Sequence, residues 1–396
     1  MSNEIIAKAD SVITATYKRP PVVIAKGKGC TLWDTEGRAY TDFVAGIAVC
    51  NLGHAHPRVS KALSDQAETL FHVSNLYYTI PQTELASWLA ENSFADRVFF
   101  CNSGAEANEA AIKIARKYFR DKGEEDRYKI ITMEKSFHGR TMATLSATGQ
   151  DKIRKGFDPV LQGFDFVPFN DIDALSEKIK SSACCAVLLE PIQGEGGVRC
   201  PDPEYLKKVR QICDETGTLL IFDEIQTGIG RTGTLFAYEH FGIEPDIMTL
   251  AKALANGLPI GAMLTKERIA EAFGPGAHAS TFGGTPVVTA ASLETLKTLS
   301  EENITDHCRD MGAYFKDRLL WLKDRHDIIE DVRGIGLLLG MKLKIKGGRF
   351  VTTCMEKGFL INCIQENILR FIPPLIIEKE EIDSLVACLD EVLGDE

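Results

Sequence analysis

The feature that most constrains the fold is a pair of short apolar runs that each end at charged residues. Residues 219–222 stop at Asp223 and Glu224, and residues 247–251 stop at Lys252. Runs of this length are typical of buried parallel strands, and ligands of open α/β sheets bind where the carboxyl ends of such strands meet. Taken singly, each charged residue could equally be a helix cap or a surface charge. Together, Asp223 and Lys252 predict a site at one edge of an α/β sheet.

A glycine-rich turn at residues 228–233 matches the G-x-G-x-x-G pattern of nicotinamide-binding folds. In those folds a helix follows the glycines at once, and an acidic residue comes about 20 residues later. Here Asp223 and Glu224 precede the glycines, and residues 234–238 do not resemble the start of a phosphate-binding helix. We therefore exclude a nicotinamide-binding fold.

A second strand-to-helix junction predicts a phosphate site. Residues 97–101 have the pattern of a strand, and apolar residues at helical spacing follow from residue 107 to 118. The connection through Ser103 and Gly104 is short, so a helix N-terminus with free N–H groups comes directly after the strand. Such a terminus can bind phosphate, although serine and asparagine are also ordinary helix caps.

Strand and helix patterns alternate through the middle of the chain, which predicts a mixed, mostly parallel sheet flanked by helices. Beyond residue 285 helical stripes dominate, with one short strand pattern at residues 336–344 between them. We therefore predict a large domain at residues 51–285 and a smaller α+β domain at residues 286–396. Residues 1–50 are expected to pack with the small domain.

Charge and cysteine content limit the partners and the compartment. The net charge of −11 argues against nucleic acid or an anionic membrane as the main partner. The 11 cysteines include no C-x-x-C spacing, and no apolar leader or long apolar span is evident. These features favour a reducing cytoplasm. His54 and His56 form an H-x-H without a third ligand nearby, so we expect no metal site.

Pyridoxal 5′-phosphate explains a phosphate site, a strand-end acid and a strand-end lysine together, because it needs a lysine for its Schiff base and an acid for its ring nitrogen. The chain resembles the class-III aminotransferases of fold type I, which carry seven matching motifs in the same order from about residue 17 onward. The motifs are Asn102-Ser103-Gly104-Ala105-Glu106-Ala107-Asn108, Phe137-His138-Gly139-Arg140, Glu190-Pro191-Ile192-Gln193-Gly194-Glu195-Gly196-Gly197, Asp223-Glu224-Ile225-Gln226-Thr227-Gly228, Ala251-Lys252-Ala253, Ser280-Thr281-Phe282-Gly283-Gly284 and Arg370-Phe371-Ile372-Pro373-Pro374.

The resemblance implies the residues of a cofactor site. Lys252 would form the Schiff base and later move a proton, while Asp223 would pair with the ring nitrogen and keep it protonated. Gln226 would reach the phenolic oxygen. Phe137 would cover one ring face, although core packing would also explain this aromatic residue. The backbone groups that would hold the phosphate are those of Ser103, Gly104 and Ala105.

The resemblance also implies a homodimer, because in this family a threonine from the neighbouring subunit completes the phosphate site and Thr281 stands in the matching motif. Arg140 would clamp a substrate carboxylate with its bidentate fork, and Arg370 would bind the α-carboxylate of glutamate. Glu195 would neutralise Arg370 while an amino donor without such a carboxylate is bound, since a lone buried cation is costly. It would swing aside when glutamate enters.

Two further positions bear on the amino donor. Ornithine aminotransferases carry a tyrosine where this chain has Ile47, and an apolar side chain suits an acyl group better than a charged amine. Tyr17 matches the family's N-terminal pocket tyrosine, although packing would also explain it. The resemblance therefore implies transfer of the terminal amino group of N2-acetylornithine to 2-oxoglutarate. The products would be N-acetylglutamate 5-semialdehyde and glutamate, in a step of arginine biosynthesis.

Several alternatives stay open at the level of sequence. Another ω-aminotransferase, acting on 4-aminobutyrate, N-succinylornithine or succinyl-diaminopimelate, would carry the same motifs. The same fold hosts mutases and racemases, and a non-catalytic partner protein could retain it, although the presence of both Lys252 and Asp223 argues against the last. The acyl group, the metabolic direction, use in a second pathway and assembly beyond a dimer do not follow from the sequence.

Overall fold

The computed structural model describes residues 2–394. Its strands, β1 to β15, are Ile24–Lys28, Thr31–Asp34, Ala39–Asp42, Arg97–Cys101, Lys129–Met133, Phe164–Val167, Cys184–Leu189, Leu219–Asp223, Ile247–Leu250, Gly261–Thr265, Ile329–Ile335, Leu338–Leu343, Phe359–Leu360, Asn362–Ile364 and Ile368–Phe371. Its α-helices, α1 to α14, are Ser2–Val12, Ala45–Ala48, Pro57–Thr69, Ile80–Glu91, Gly104–Asp121, Met142–Ala147, Asp151–Arg154, Ile172–Ser181, Tyr205–Thr216, Glu267–Ala270, Pro286–Glu301, Ile304–Arg325, Gly348–Glu356 and Lys379–Gly394. Short 3-10 helices lie at Ala237–Phe241 and Lys252–Ala255.

The largest sheet carries the strand ends that the sequence singles out. It is ordered β4-β10-β9-β8-β7-β5-β6, and the neighbours from β9 to β6 run parallel. Strand β10 runs antiparallel to both β4 and β9. This arrangement confirms the predicted mixed, mostly parallel sheet. The two predicted apolar runs form β8 and β9, which are direct neighbours.

The inner strands of this sheet are buried from end to end because helices cover its faces. Every residue of β7, β8 and β9 is buried. On one face, Ala110 and Ile114 of α5 share an apolar cluster with Ile221, Ile247 and Met263 of the sheet. Burial of one such aliphatic side chain contributes about 1.5–3 kcal/mol. The polar residues at the strand ends are therefore mounted on a closely packed support.

Two smaller sheets lie beside the large one. The first, β1-β2-β3-β13, joins the N-terminal strands to the distant β13 through a parallel pair. The second, β11-β12-β15-β14, contains the strand predicted at residues 336–344 as β12. The prediction was incomplete there, because β11 mixes polar and apolar residues and β14 is too short to show a period. The register of β12 and β15 sets Gly340 opposite Arg370.

Three features of the described residues concern membranes, metal ions and disulfides. Within residues 2–394, no helix combines the length and the apolar character that crossing a bilayer requires. The same residues contain no group of three or more His, Cys, Asp or Glu side chains arranged to hold a metal ion. In the H-x-H pair, His54 Nε2 lies 2.7 Å from Asp42 Oδ2. The cysteines are free thiols, and most of them are buried.

Candidate active site

The carboxyl ends of β8 and β9 open into a cavity of about 480 Å³. Asp223 ends β8, and Lys252 follows β9. The loops after β4, β5 and β7 contribute further walls, together with Val49 and the segment 257–260 before β10. The lining residues are Val49, Asn102, Ser103, Gly104, Ala105, Phe137, His138, Gly139, Arg140, Glu190, Asp223, Ile225, Gln226, Ala251, Lys252, Gly257, Leu258, Pro259 and Ile260.

The carboxylate of Asp223 is fixed by a network of buried hydrogen bonds. Its Oδ2 accepts from Asn108 Nδ2 at 2.8 Å and from His138 Nδ1 at 2.8 Å. Thr249 Oγ1 donates to Asn108 Oδ1 at 2.7 Å, which sets the orientation of that amide. The other oxygen, Oδ1, accepts from the backbone of Ile225 at 3.1 Å. Asp223 is thereby held as an oriented carboxylate facing the cavity, which suits a partner with a ring N–H.

His138 completes this network and leaves one buried atom without a partner. Its ring is enclosed beside Asp223, and within residues 2–394 its Nε2 has no hydrogen-bond partner. A buried polar atom without a partner is costly and is uncommon in native structures. Because the His138 side chain is fully enclosed, this unpartnered nitrogen is a cost of holding the Asp223 carboxylate in place.

Lys252 lies where backbone strain and burial both act. Its φ of 46° is in the left-handed region, which costs a residue with a Cβ roughly 1–2 kcal/mol and is often found at functional sites. Burial lowers the pKa of Lys252, and Arg370 lowers it further, while Glu195 and Asp223 oppose the change. A lysine with a depressed pKa presents more neutral amine near pH 7, the form that attacks a carbonyl.

Helix α5 presents its N-terminus to the cavity. The Ser103 side chain caps it by accepting from Glu106 N at 3.2 Å, and the amides of Gly104 and Ala105 in the first turn have no intrahelical acceptor. A Cβ on Gly104 would lie 2.7 Å from Ile225 Cδ1, so an alanine there would force the Ile225 side chain to move. The result is a shallow cradle of N–H groups that fits a phosphate.

Arg370 and Glu195 form a buried pair beside the cavity. Arg370 is 1% exposed, and its Nη1 donates to Glu195 Oε1 at 2.6 Å and to Gln226 Oε1 at 3.1 Å. Although burial acts in the opposite direction, Arg370 and then Lys252 hold the pKa of Glu195 below its ordinary value. Gln365 Nε2 donates to the backbone oxygen of Glu195 at 2.8 Å and fixes that loop. Glu195 therefore neutralises the charge of Arg370. Neither residue is among those that line the cavity.

Most of the predicted site residues come together in space. Eight of them line the cavity: Ser103, Gly104, Ala105, Phe137, Arg140, Asp223, Gln226 and Lys252. Arg370 and Glu195 join them through Gln226. Ile47 is 43% exposed, next to the lining segment at Val49. Tyr17 is 73% exposed, and Thr281 lies in a separate surface pocket with His72 and Gly284, so neither lines the cavity of a single chain.

Sequence reasoning missed four residues of the site: Asn108, His138, Glu190 and Thr249. Asn108, His138 and Glu190 belong to the family motifs, so the resemblance could have identified them as site residues. Thr249 lies outside those motifs. Glu190 is buried and accepts from Phe137 N at 3.1 Å and from Gly194 N at 3.0 Å. Burial raises the pKa of Glu190 to about 7, with His138 opposing and Asp223 adding to the shift. Its carboxylate joins the loop of Phe137 to the loop that carries Glu195.

Comparison with known proteins gives one consistent result. The family model for class-III aminotransferases matches residues 12–393. The chain is 52% identical to the acetylornithine aminotransferase of Caldanaerobacter subterraneus subsp. tengcongensis, with 96% of both chains covered. It is also 52% identical to that of Methanocaldococcus jannaschii, covering 95% of this chain and 94% of the relative.

Solved structures agree with these relatives. Ornithine aminotransferase of Toxoplasma gondii superposes with a TM-score of 0.96 at 36% identity, over 100% of this chain and 95% of the other. A second structure of that enzyme is described as having partial occupancy of pyridoxal phosphate at its active site. Acetylornithine aminotransferase of Elizabethkingia anophelis superposes with a TM-score of 0.90 at 33% identity, over 100% of this chain and 99% of the other.

Proposed function

Because the chain belongs to the class-III aminotransferase family, and is thus a pyridoxal-phosphate-dependent enzyme, we propose that it transfers the terminal amino group of N2-acetylornithine to 2-oxoglutarate. The relatives at 52% identity carry the name of that activity. The observation that carries the proposal is the closed Glu195–Arg370 pair beside a cavity that holds Lys252 and Asp223. A donor that reacts through its terminal amine has no carboxylate at the reacting carbon, so Arg370 stays paired with Glu195 while this donor is bound.

Pyridoxal phosphate, when bound, supplies an aldehyde that condenses with amines and a ring that accepts electron density from the reacting carbon. Asp223 is the residue proposed to hold the proton of the ring nitrogen, through a charge-assisted hydrogen bond of about 1.5–3 kcal/mol. Lys252 Nζ would take the proton from the carbon that bears the donor amine and return it within the cavity. The cradle at Gly104 and Ala105 would hold the phosphate.

Substrate recognition is proposed to depend on two arginines, each of which binds a different carboxylate. Arg140 is exposed at the cavity wall, 5.6 Å from the Phe137 ring centroid, where it would bind the carboxylate that both substrates carry far from the reacting carbon. Arg370 would bind the α-carboxylate of glutamate after Glu195 has moved aside. Holding the distant carboxylate also orients the reacting carbon, and such orientation supplies much of an enzyme's rate.

The acyl preference is assigned to the segment around Ile47. This residue has a φ of 70°, and Ala45, Gly46 and Ala48 are also in the left-handed region. The carboxylate of Asp42 supports the turn by accepting from Val44 N at 2.8 Å and from Ala45 N at 2.9 Å. An apolar side chain presented there suits an acetyl group and offers nothing to a free α-amine.

A homodimer is proposed because the described surface around Thr281 is strongly apolar. Leu76 is 81% exposed, Tyr78 101%, Ile80 79% and Phe282 63%. Monomeric proteins rarely expose so much apolar area in one place, and such patches mark interfaces. In the proposed dimer Thr281 completes the phosphate site of the neighbouring subunit. A Thr281→Ala variant that remains dimeric by sedimentation should bind the cofactor more weakly, and unchanged cofactor affinity would remove this role.

A donor screen tests the proposed function. The cofactor-loaded enzyme is mixed with N2-acetylornithine, ornithine, N-succinylornithine, succinyl-diaminopimelate or 4-aminobutyrate, and conversion of the cofactor to its amino form is followed by absorbance. We expect the fastest conversion with N2-acetylornithine and none in Lys252→Ala, and recovery of the starting spectrum on addition of 2-oxoglutarate. Faster conversion with another donor, or recovery without any oxo acid, would assign a different reaction.

A further inference from the structure

The glycine-rich turn that resembles a nucleotide-binding motif has a different use in this fold. Residues 228–233 follow the loop of Gln226, and they deliver Arg231 into the contact with the β12–β15 pair. Gly230 and Gly233 have φ values of 84° and 91°, and a Cβ on Gly233 would lie 2.9 Å from Arg309 Cβ. The two glycines therefore permit the sharp turn and the close approach of α12. Arg231 at its centre is completely buried.

The guanidinium of Arg231 binds three oxygens, all of them neutral. Its Nη1 donates to the carbonyl oxygens of Leu337 at 2.9 Å and Pro373 at 2.6 Å, and its Nη2 donates to Asn51 Oδ1. Burial lowers the pKa of Arg231 to about 10, so it stays charged at pH 7. A buried cation without a carboxylate beside it is costly. The planar guanidinium offsets this cost because its hydrogen bonds join separate chain segments, which an apolar residue cannot do.

The two carbonyls that share Nη1 belong to the strands around Arg370. Leu337 immediately precedes β12, and Pro373 lies just beyond β15. Since the strands are antiparallel, with Leu339 opposite Phe371, both carbonyls lie at the same end of the pair. Arg231 thereby ties this end of the β12–β15 pair to the loop that also carries Gln226. Gln226 Oε1, in turn, accepts from Arg370 Nη1 at 3.1 Å.

Asn51 closes the junction from the N-terminal side. Its amide Nδ2 donates to the carbonyl of Ile229 at 2.6 Å, and its backbone oxygen accepts from Leu375 N at 2.7 Å. The segment before α3, the glycine-rich turn and the chain after β15 therefore meet around a single guanidinium. Any movement of Arg231 would be transmitted to the strand of Arg370 rather than to Arg140, which is on a different loop of the large sheet.

We propose that Arg231 is a positioning residue that holds the Arg370 guanidinium at the correct distance from Gln226 and Glu195, and thereby sets the affinity for the dicarboxylate substrate. The identity of that substrate rests on the proposed function. The amino donor, which leaves Arg370 paired with Glu195 and is held through Arg140, depends much less on this placement.

An Arg231→Lys variant tests the inference, because it keeps the cation and loses the fork. The probes are glutarate, an unreactive dicarboxylate, and N-acetylnorvaline, which has the carboxylate and acetyl group of the donor but no terminal amine. Binding to the cofactor-loaded enzyme is measured by calorimetry. We expect the dissociation constant of glutarate to rise about tenfold, as when one hydrogen bond to a charged group is weakened. That of N-acetylnorvaline should change less than about twofold.

Arg210→Lys is the matched control, since Arg210 is also largely buried but pairs with Asp246, which precedes β9 at the opposite end of that strand from Lys252. It should leave both dissociation constants unchanged. Equal weakening of both probes in Arg231→Lys, or no weakening of glutarate, would overturn the proposal. If that variant does not fold, Arg231→Gln keeps an amide donor at this position and should weaken glutarate more than N-acetylnorvaline; otherwise the proposal is wrong. If the wild type does not react with N2-acetylornithine, the donor assignment is wrong. The role of Arg231 would still be decided by comparing the glutarate dissociation constants of Arg231→Lys and Arg210→Lys.

Discussion

Replacing Glu195 with glutamine removes one negative charge and keeps the size of the side chain. Arg370 is 1% exposed, so the variant leaves a buried cation next to neutral oxygens. Breaking a buried ion pair by removing one partner costs about 3–5 kcal/mol. Because the Glu195 side chain is itself 29% exposed, solvent reduces this cost, and we expect the free energy of unfolding to fall by about 2–3 kcal/mol.

The same substitution should strengthen dicarboxylate binding. If Arg370 binds the substrate as proposed, an incoming carboxylate would have to displace Glu195 Oε1 from Arg370 Nη1, which lies 2.6 Å away in the wild type. A charge-assisted hydrogen bond of this kind is worth about 1.5–3 kcal/mol. Without that competitor, glutarate and 2-oxoglutarate should bind about 10- to 100-fold more tightly. The donor gains nothing, and its single carboxylate can now be drawn to Arg370, so its productive binding should weaken.

The assay separates these effects by half-reaction. Glutarate affinity is measured by calorimetry on the cofactor-loaded enzyme, and the two half-reactions are followed in single turnovers with N2-acetylornithine and with glutamate. Glu294→Gln is the control, because it removes one carboxylate from a partly exposed ion pair with Arg58. Equal glutarate affinity in Glu195→Gln and the wild type would refute the view that Glu195 competes with substrate for Arg370.

Three further outcomes follow from individual contacts. In Gly104→Ala the new Cβ would lie 2.7 Å from Ile225 Cδ1, so cofactor affinity in a fluorescence titration should fall, and Ile225→Ala should restore most of it; no change would reject the cradle. Burial raises the pKa of Glu190 from 4.5 to about 7. Between pH 4.5 and about 7, Glu190 therefore keeps its proton in the folded protein and loses it in the unfolded chain. The stability of the wild type relative to Glu190→Gln should therefore fall as pH rises from about 4.5 to 7 in denaturant titrations, and the opposite slope would contradict the cause given. Glu204 has a φ of 65°, so Glu204→Gly should be about 0.5–1 kcal/mol more stable than Glu204→Ala in the same titrations, and equal values would show that the strain is absent.

The local pattern was sufficient for the elements that carry the site. The strand predicted at residues 97–101 coincides with β4, and the helix behind it is α5, because apolar spacing there is strong. Strand β10 was missed, although all its residues are buried. A short apolar run does not reveal its direction, and β10 lies between β4 and β9 through pairings that are not local in sequence.

The contacts between site residues could not be predicted in the same way. Motifs placed Asp223 and Asn108 in the chain, yet their hydrogen bond joins positions 115 residues apart. The bond from Thr249 to Asn108 spans 141 residues, and no periodicity specifies such a pair. Gln226 is predicted to reach the cofactor and lines the cavity, but the motif does not reveal that its Oε1 also accepts from Arg370. Side-chain partners of this kind depend on how the sheets pack, which the sequence pattern does not encode locally.

The placement of Glu195 has a consequence for Lys252 that links the two half-reactions. Glu195 acts against the burial that lowers the pKa of Lys252, while Arg370 adds to it. When glutamate enters, its α-carboxylate would replace that of Glu195 beside Arg370, so one negative charge remains near the lysine in both half-reactions. The pKa of the amine would thereby stay similar although the substrates differ. In Glu195→Gln this balance is lost for the donor alone. The pH profile of the donor half-reaction should then shift to lower pH while that of the glutamate half-reaction stays in place, and equal shifts in both would show that Glu195 does not act on Lys252 through its charge.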